Sequence, residues 1–145
     1  MKDLHSHITI ASAIGAATLA ADNTPAAIDI QGYQSAEIVL AIGVGGITFD
    51  TTNKIEFKLT HSDDDSTYTA VTTADMLGVT VADGGTIKAL TAAHATAAVY
   101  RYGYKGSKRY LKLLADFSGT HGTGTPLAAA VIKSNGDSNP QDDQD

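Results

Sequence analysis

The chain reads as all-β, an antiparallel β-sandwich of jelly-roll-like character with about eight or nine strands. Three observations lead there. From Ala36 to Ser134 the chain is a series of short alternating or apolar runs. Clusters of Gly, Asp, Asn and Ser punctuate them roughly every 8–12 residues, the rhythm of sandwiches and barrels. The run Lys54 to His61 alternates without a break, with Ile55, Phe57, Leu59 and His61 on one face and Glu56, Lys58 and Thr60 on the other. That spacing leaves a jelly roll and an immunoglobulin-like strand order both open.

Residues 1–24 are expected as an N-terminal arm, extended and weakly patterned, closing in the turn Asp22-Asn23-Thr24-Pro25. The body, 25–134, opens where Ile28 and Ile30 alternate with Asp29 and Gln31, a half-buried strand. Glu37 to Ile42 is a continuous apolar run, the pattern of a strand covered on both faces. Gly43, Gly45 and Gly46 permit a sharp bend before Ile47. After the Lys54 strand, Ser62 to Ser66 turns the chain and Tyr68 to Val71 returns as the second half of a hairpin. Thr73 to Leu77 suits one helical turn, Asp83-Gly84-Gly85 a turn and Thr86 to Leu90 a strand; Thr91 to Ala98 is open between loop and short helix. Val99 to Tyr104 alternates again, Arg109 to Phe117 is a strand, Gly119 to Gly124 a loop and Leu127 to Ile132 the last strand. Residues 135–145, polar and acidic without apolar anchors, are expected as a flexible, disordered tail.

At 145 residues, 43% of them hydrophobic, the chain is sized for one domain with one core. Alanine supplies much of that share and aromatics only 6%, so an alanine-rich, modestly stabilising core is expected, one that a partner surface would help. The net charge of −6 argues against nucleic acid, since Lys105, Lys108, Arg109 and Lys112 form only a short basic cluster. Ile8 to Ala21 has roughly the length of a signal-peptide apolar region. Asp3 in its flank and the interruptions at Thr9, Ser12, Gly15 and Thr18 speak against that, and the run is too short and polar to span a bilayer. There is no cysteine, hence no disulfide or thiolate metal site.

Each polar cluster has a plain structural reading. Asp63, Asp64 and Asp65 supply the hard oxygens calcium takes, but without the glycine and distal glutamate of a calcium loop they read as a hairpin turn. His5 and His7 have the spacing for chelation from one strand face and read more simply as a polar terminus, so no cofactor or metal is expected. Asp116, Ser118 and His121 lie too close in sequence to converge as a hydrolase triad, and no nucleophile elbow is present. Gly43-Val44-Gly45-Gly46 lacks dinucleotide-loop spacing and is followed by Ile47-Thr48-Phe49 rather than a helix. Without an acid–base set the chain is not expected to be an enzyme. Tyr100, Tyr102 and Tyr104 on one strand face are candidates for a protein interface or a sugar-stacking platform, or else for an inner sheet face. In the arm, Ile8, Ile10, Ile14 and Leu19 are the candidate contacts of a segment that orders on binding a neighbouring subunit and leaves a folded body behind when removed.

Four stretches carry a resemblance: PAAIDIQGYQSAEIVLAIGVGGITF (25–49), NKIEFKLTHSDDDSTYTAV (53–71), KRYLKLLADFSGTH (108–121) and TPLAAAVIKS (125–134). Together, over roughly Ala21 to Ser134, they resemble small β-sandwich proteins encoded in the head-morphogenesis regions of tailed phages and prophages. The resemblance implies a virion component made in the host cytoplasm. It implies a capsid decoration (cement) protein or head-spike base on the capsid surface, with the major capsid protein and copies of itself as partners. It brings no catalytic residues. A head–tail connector or tail subunit is an alternative within the same setting. The SDDDSTYTAV hairpin is also similar to turns of carbohydrate-binding jelly rolls, which makes a glycan-binding module the alternative outside it.

Overall fold

A computed structural model describes residues 3–143. Among them are ten strands: β1 (Ile8–Leu19), β2 (Ile28–Asp29), β3 (Tyr33–Ile42), β4 (Lys54–Ser62), β5 (Thr69–Ala70), β6 (Met76–Leu77), β7 (Thr86–Leu90), β8 (Ala98–Tyr104), β9 (Tyr110–Ser118) and β10 (Thr125–Gly136). The only helical elements among the described residues are three single 3₁₀ turns, one of them, Thr73–Asp75, inside the expected helical turn. Among the described residues no helix is long and apolar enough to cross a membrane.

Alternation decides the layers. In β4, Ile55, Phe57 and Leu59 are at most 1% exposed while Glu56, Lys58 and Thr60 lie at the surface side, as the period of two requires. In β3, Ile38, Leu40 and Ile42 take the inner positions. The two sets belong to different antiparallel sheets. The main sheet runs β1-β10-β3-β8-β6; the second runs β2-β9-β4, with β7 and then β5 pairing successive stretches of the far edge of β4.

The pairing is nested: β1 with β10, β2 with β9, β3 with β8 and β4 with β7. A long antiparallel hairpin with these rungs, wrapped so that β10 also meets β3 and β9 also meets β4, is a jelly roll. The β5 hairpin and β6 are short additions between β4 and β7. Strand order, which turn spacing leaves open, is thereby fixed.

The core lies between the sheets. Ile38, Leu40, Ile42, Leu127 and Val131 from one side meet Ile55, Phe57, Leu59, Leu111 and Leu113 from the other, all at most 4% exposed. Each such side chain contributes about 1.5–3 kcal/mol of burial. The expected alanine-rich core is therefore not found. Leu, Ile and Phe fill the interior, and of the alanines only Ala13, Ala36, Ala115 and Ala129 are buried in it.

Residues expected as a separate N-terminal arm are extended but belong to the sandwich. β1 pairs with β10 from Ile8↔Ser134 to Leu19↔Thr125, and Ala13 and Ile14 enter the core. The reason is a register break. Between Ser12 and Ile14 the strand carries one residue more than β10 matches, so Ala13 and Ile14 both turn inward. A second break lies between Ile14 and Ala17. The body thus begins at Ile8 rather than Pro25, and the turn at Asp22-Asn23 has its own task. The Asn23 amide donates to Leu113 O (3.1 Å) and accepts from Ala115 N (2.7 Å), while Asp22 accepts from Phe117 N (2.7 Å). Two side chains so stand in for a strand along the edge of β9, beyond the short β2.

Among the described residues after Gly136 there is no strand, and polar contacts tie this stretch to the start of β1. Gln141 N donates to Ser6 O, its Oε1 accepts from Tyr33 Oη (2.7 Å), and His5 pairs with Asp143 at 2.8 Å. At the other end of the sandwich the glycine bend sits where the backbone crowds: a Cβ on Gly46 would lie 1.9 Å from Gly124 O, and Gly124 itself has φ +92°.

Removing residues 1–22 takes away β1 and two core residues. The truncated chain is expected to lose about 3 kcal/mol or more, seen as a thermal midpoint lowered by about 10 °C. An unchanged midpoint would show that the body folds without β1.

Candidate interaction surface

The two sheets present opposite kinds of surface to solvent. On the outer face of the second sheet, Lys58 bridges the carboxylate of Asp116 and lies 3.9 Å from Glu56, which in turn pairs with Lys54 at 3.0 Å. The hydrogen bond from Lys58 is the main reason its ammonium is held above the usual lysine range. This is an ordinary solvated face with mutually satisfied charges.

The outer face of the main sheet is different. Register places its outward residues in rows across the strands: Ile10, Ile132, Glu37, Gly103 and Leu77; then Ser12, Ala130, Val39 and Arg101; then Ala128, Ala41 and Val99; then Thr18, Pro126 and Gly43. The only charges in these rows, Glu37 and Arg101, approach each other to 3.4 Å. Ile10, Leu77 and Val99 are 41%, 55% and 69% exposed, and they are the large exposed apolar side chains found in strands. Beside them lies a shallow depression of about 580 Å³ with Ala16, Ala17, Ala41, Ala98, Pro126 and Ala128 in its wall. The apolar run Glu37 to Ile42, expected to be covered on both faces, is covered within the chain on one. Contiguous apolar surface of this kind marks a contact site.

The structure divides the candidate contact residues. Ile8 and Ile10 lie on the outer face, opposite Ser134 and Ile132. Ile14, 5% exposed, is in the core because of the register break, and Leu19 packs against the core opposite the fully buried Thr125. Tyr100, Tyr102 and Tyr104 stand opposite Leu40, Ile38 and Ala36, on the inner face. They belong to the inner sheet face, with Tyr100 and Tyr102 partly buried against the core. Tyr104 is buried; its hydroxyl accepts from Lys108 N (3.2 Å) and donates to His61 Nδ1 (2.8 Å), joining the two sheets. Burial pushes the Tyr104 phenol up to about 12. Tyr100 donates to His94 Nε2 at 3.0 Å, and His94 Nδ1 donates to Gly43 O at 2.8 Å, so this pair pins the irregular 91–97 segment to the end of β3. Missing from the expected set were Val39, Ala41, Val99, Ala128 and Ala130. The signal for Val39 and Ala41 was the EIVLAI run itself, whose alternate residues had no second layer to lie against; Val99, Ala128 and Ala130 join them through strand register.

Other clusters resolve into scaffold. Asp64 accepts from Ser66 N (2.9 Å), Thr67 N (2.8 Å) and Ser62 Oγ (2.8 Å), bonds that hold its carboxyl well below the usual range and shape the turn. Asp63 pairs with Lys108, and Asp65 accepts from Tyr68 Oη. Arg109 grips Asp29 with two nitrogens (2.9 and 2.6 Å), the chief cause of the depressed Asp29 carboxyl. His5 and His7 sit in a 3₁₀ turn, not on a strand face, and among the described residues no three His, Asp or Glu side chains gather as a metal cage. Asp116, Ser118 and His121 do not converge. Asp116 faces Lys58 on the outside, while His121 is buried between Phe117 and Phe49 with Nε2 donating to the Ser118 carbonyl at 2.8 Å. Among the described residues His121 Nδ1 is the buried side-chain nitrogen without a hydrogen-bond partner.

No family model matches the chain, and no curated protein matches it. Among solved structures it is similar to one of Bacillus endospore appendages, described as disulfide-linked pili, with 15% identity and a TM-score of 0.34 over 92% of this chain and 95% of the other.

His61 gives the body a measurable proton dependence. Burial is the main cause holding its imidazole below the ordinary value, with Lys108 adding to this and Asp75 and Asp63 opposing it. A base with a depressed folded value is most favourable to the fold above the unfolded value of about 6.5, and that stability is lost as acid protonates the unfolded chain first. Thermal midpoints are expected to fall between pH 7 and pH 5, and to fall less in His61→Gln, which keeps an acceptor for Tyr104. Equal slopes for the two proteins would remove His61 from the account.

Proposed function

We propose that this chain is a structural virion protein of a tailed phage, a decoration protein that binds the outside of the major capsid lattice and works as a homo-oligomer. One observation carries the reading. A rigid jelly roll, charged and self-satisfied on one outer sheet face, leaves the other outer face apolar across β1, β10, β3 and β8. Such a body has its chemistry in contact rather than in turnover. The resemblance over residues 21–134 to phage head-region proteins supplies the setting in which contact is the function.

A decoration protein must hold its shape while exposed on a particle. The nested pairing and the Leu/Ile/Phe core serve that need, and so does the fixing of both chain ends: β1 and β10 are neighbours, and the Gln141 and Asp143 contacts tie the tail beside them.

The test is cosedimentation of the purified protein with capsids assembled from the major capsid protein of the phage or prophage to which this reading assigns it. Saturable binding in a fixed ratio to that protein is expected. Val99→Glu, at the most exposed point of the apolar face, is expected to weaken it about tenfold or more, equivalent to about 1.4 kcal/mol. Failure of the unsubstituted protein to sediment with capsids would overturn the reading.

A further inference from the structure

We propose that the polar cleft between the β2–β3 and β8–β9 turns binds the neutral sugar residue at the end of a glycan chain. The inference goes beyond the capsid reading and does not rest on it.

The cleft lies where three turns meet: β2 to β3, β4 to β5 and β8 to β9 all reverse at the same end of the sandwich. Its volume is about 360 Å³, at the small end of ligand pockets, which run from about 300 to 1,000 Å³. Backbone hydrogen bonds fix its walls. Ile30 N donates to Arg109 O (2.9 Å), Tyr33 N to Ile30 O (3.1 Å) and Asp137 N to Gly32 O (2.8 Å), with Gly32 at φ +83°. On the β8–β9 side, Lys108 N donates to the buried Tyr104 hydroxyl (3.2 Å), and the Lys108 ammonium pairs with Asp63. The alanine hollow lies where β3 ends and β8 begins, the cleft where β3 begins and β8 ends, so occupancy of the hollow leaves the cleft free.

The carboxamides of the chain single this cleft out. Asn23, Asn53, Asn135, Asn139 and Gln141 all hydrogen-bond within the molecule through their side chains. Among the described residues only Gln31 and Gln34 have carboxamides without such a bond, and both line this cleft, as does the unbonded Ser107 hydroxyl. Each of the three offers a donor and an acceptor. The charged groups come as closed pairs, Lys108 with Asp63 and Arg109 with Asp29, all partly open to solvent. That combination selects a class of ligand. An anion would crowd Asp29 and Asp63, and a cation would crowd Lys108 and Arg109. An apolar molecule would strip water from both pairs without replacing its hydrogen bonds. Sugar hydroxyls are donors and acceptors at once, so neighbouring ones on a ring bridge carboxylate, ammonium and carboxamide without adding charge.

Saturation-transfer NMR of the full chain with the methyl glycosides of glucose, galactose, mannose and N-acetylglucosamine is the test. At least one is expected to give saturable transfer, with a dissociation constant on the order of 1 mM. N-acetylneuraminic acid, an anion, and glucosamine, a cation, are expected to give none. Asp63→Asn, and separately Gln31→Ala with Gln34→Ala, should each weaken the binding about tenfold at an unchanged thermal midpoint. Glu56→Gln, on the outer face of the second sheet, should bind as the unsubstituted chain does. If Asp63→Asn lowers the midpoint, the double glutamine variant decides. Absence of saturable transfer from all four neutral glycosides, tighter binding of either charged sugar, or a double glutamine variant that binds unchanged would overturn the inference. Capsid cosedimentation reads the other proposal separately: a chain that binds capsids but no sugar sinks only the glycan site, and one that binds sugar but ignores capsids sinks only the decoration role.

Discussion

β10 lies between β1 and β3, so each residue it contributes to the main sheet is held from both sides, and Leu127, Ala129 and Val131 reach the core only because that double pairing fixes their register. The strand comes from the end of the chain and its partners from the beginning. β1 has no neighbour and β3 only one until the last long strand arrives, which ties the stability of the body to contacts between distant segments. Folds dominated by such pairings form slowly and depend on the whole chain. The bulged β1, the polar ties of the tail and the crowded approach of Gly46 to Gly124 are local consequences of bringing the two termini into adjacent strands.

Much of this was legible in the residues. Alternation in Lys54–Ser62 gave both faces of β4, and the Asp-rich stretch after it was a turn because its carboxylates bond to the backbone they bend. The tyrosines of β8 were legible as a face but not as inner or outer, since Tyr fits either; their partners Leu40 and Ile38 decide it. Two departures from the simple pattern share a cause. Simple alternation along β1 puts Ile10, Ser12 and Ile14 on one side, and only the extra residue at Ala13, invisible without its partner strand, sends Ile14 inward. The weak pattern that resulted looked like an unattached arm. Alanine was likewise assigned inside by its hydropathy, although a residue that small is indifferent to burial and here lines the outside of the main sheet.

The contrast between the two outer faces follows from composition more than topology. A jelly roll gives both sheets the same geometry, and β4 and β9 use their outward positions for Lys, Glu and Asp. β3, β8 and β10 use most of theirs for Val, Ala and Ile, with Glu37 and Arg101 as the charges among them. A chain this acidic has charge enough to coat both sides, so the uneven distribution is a property of the sequence that the fold alone does not demand.

The bonds made by Asp22 and Asn23 along β9 bear on a different hazard. A sheet border with open amide and carbonyl groups is a template on which further chains stack indefinitely, the route to fibrils. Here a side-chain carboxamide occupies those groups at Leu113 and Ala115, and a carboxylate occupies the next at Phe117. By blunting that border with two short polar residues, the molecule keeps crowding from turning into open-ended polymerisation.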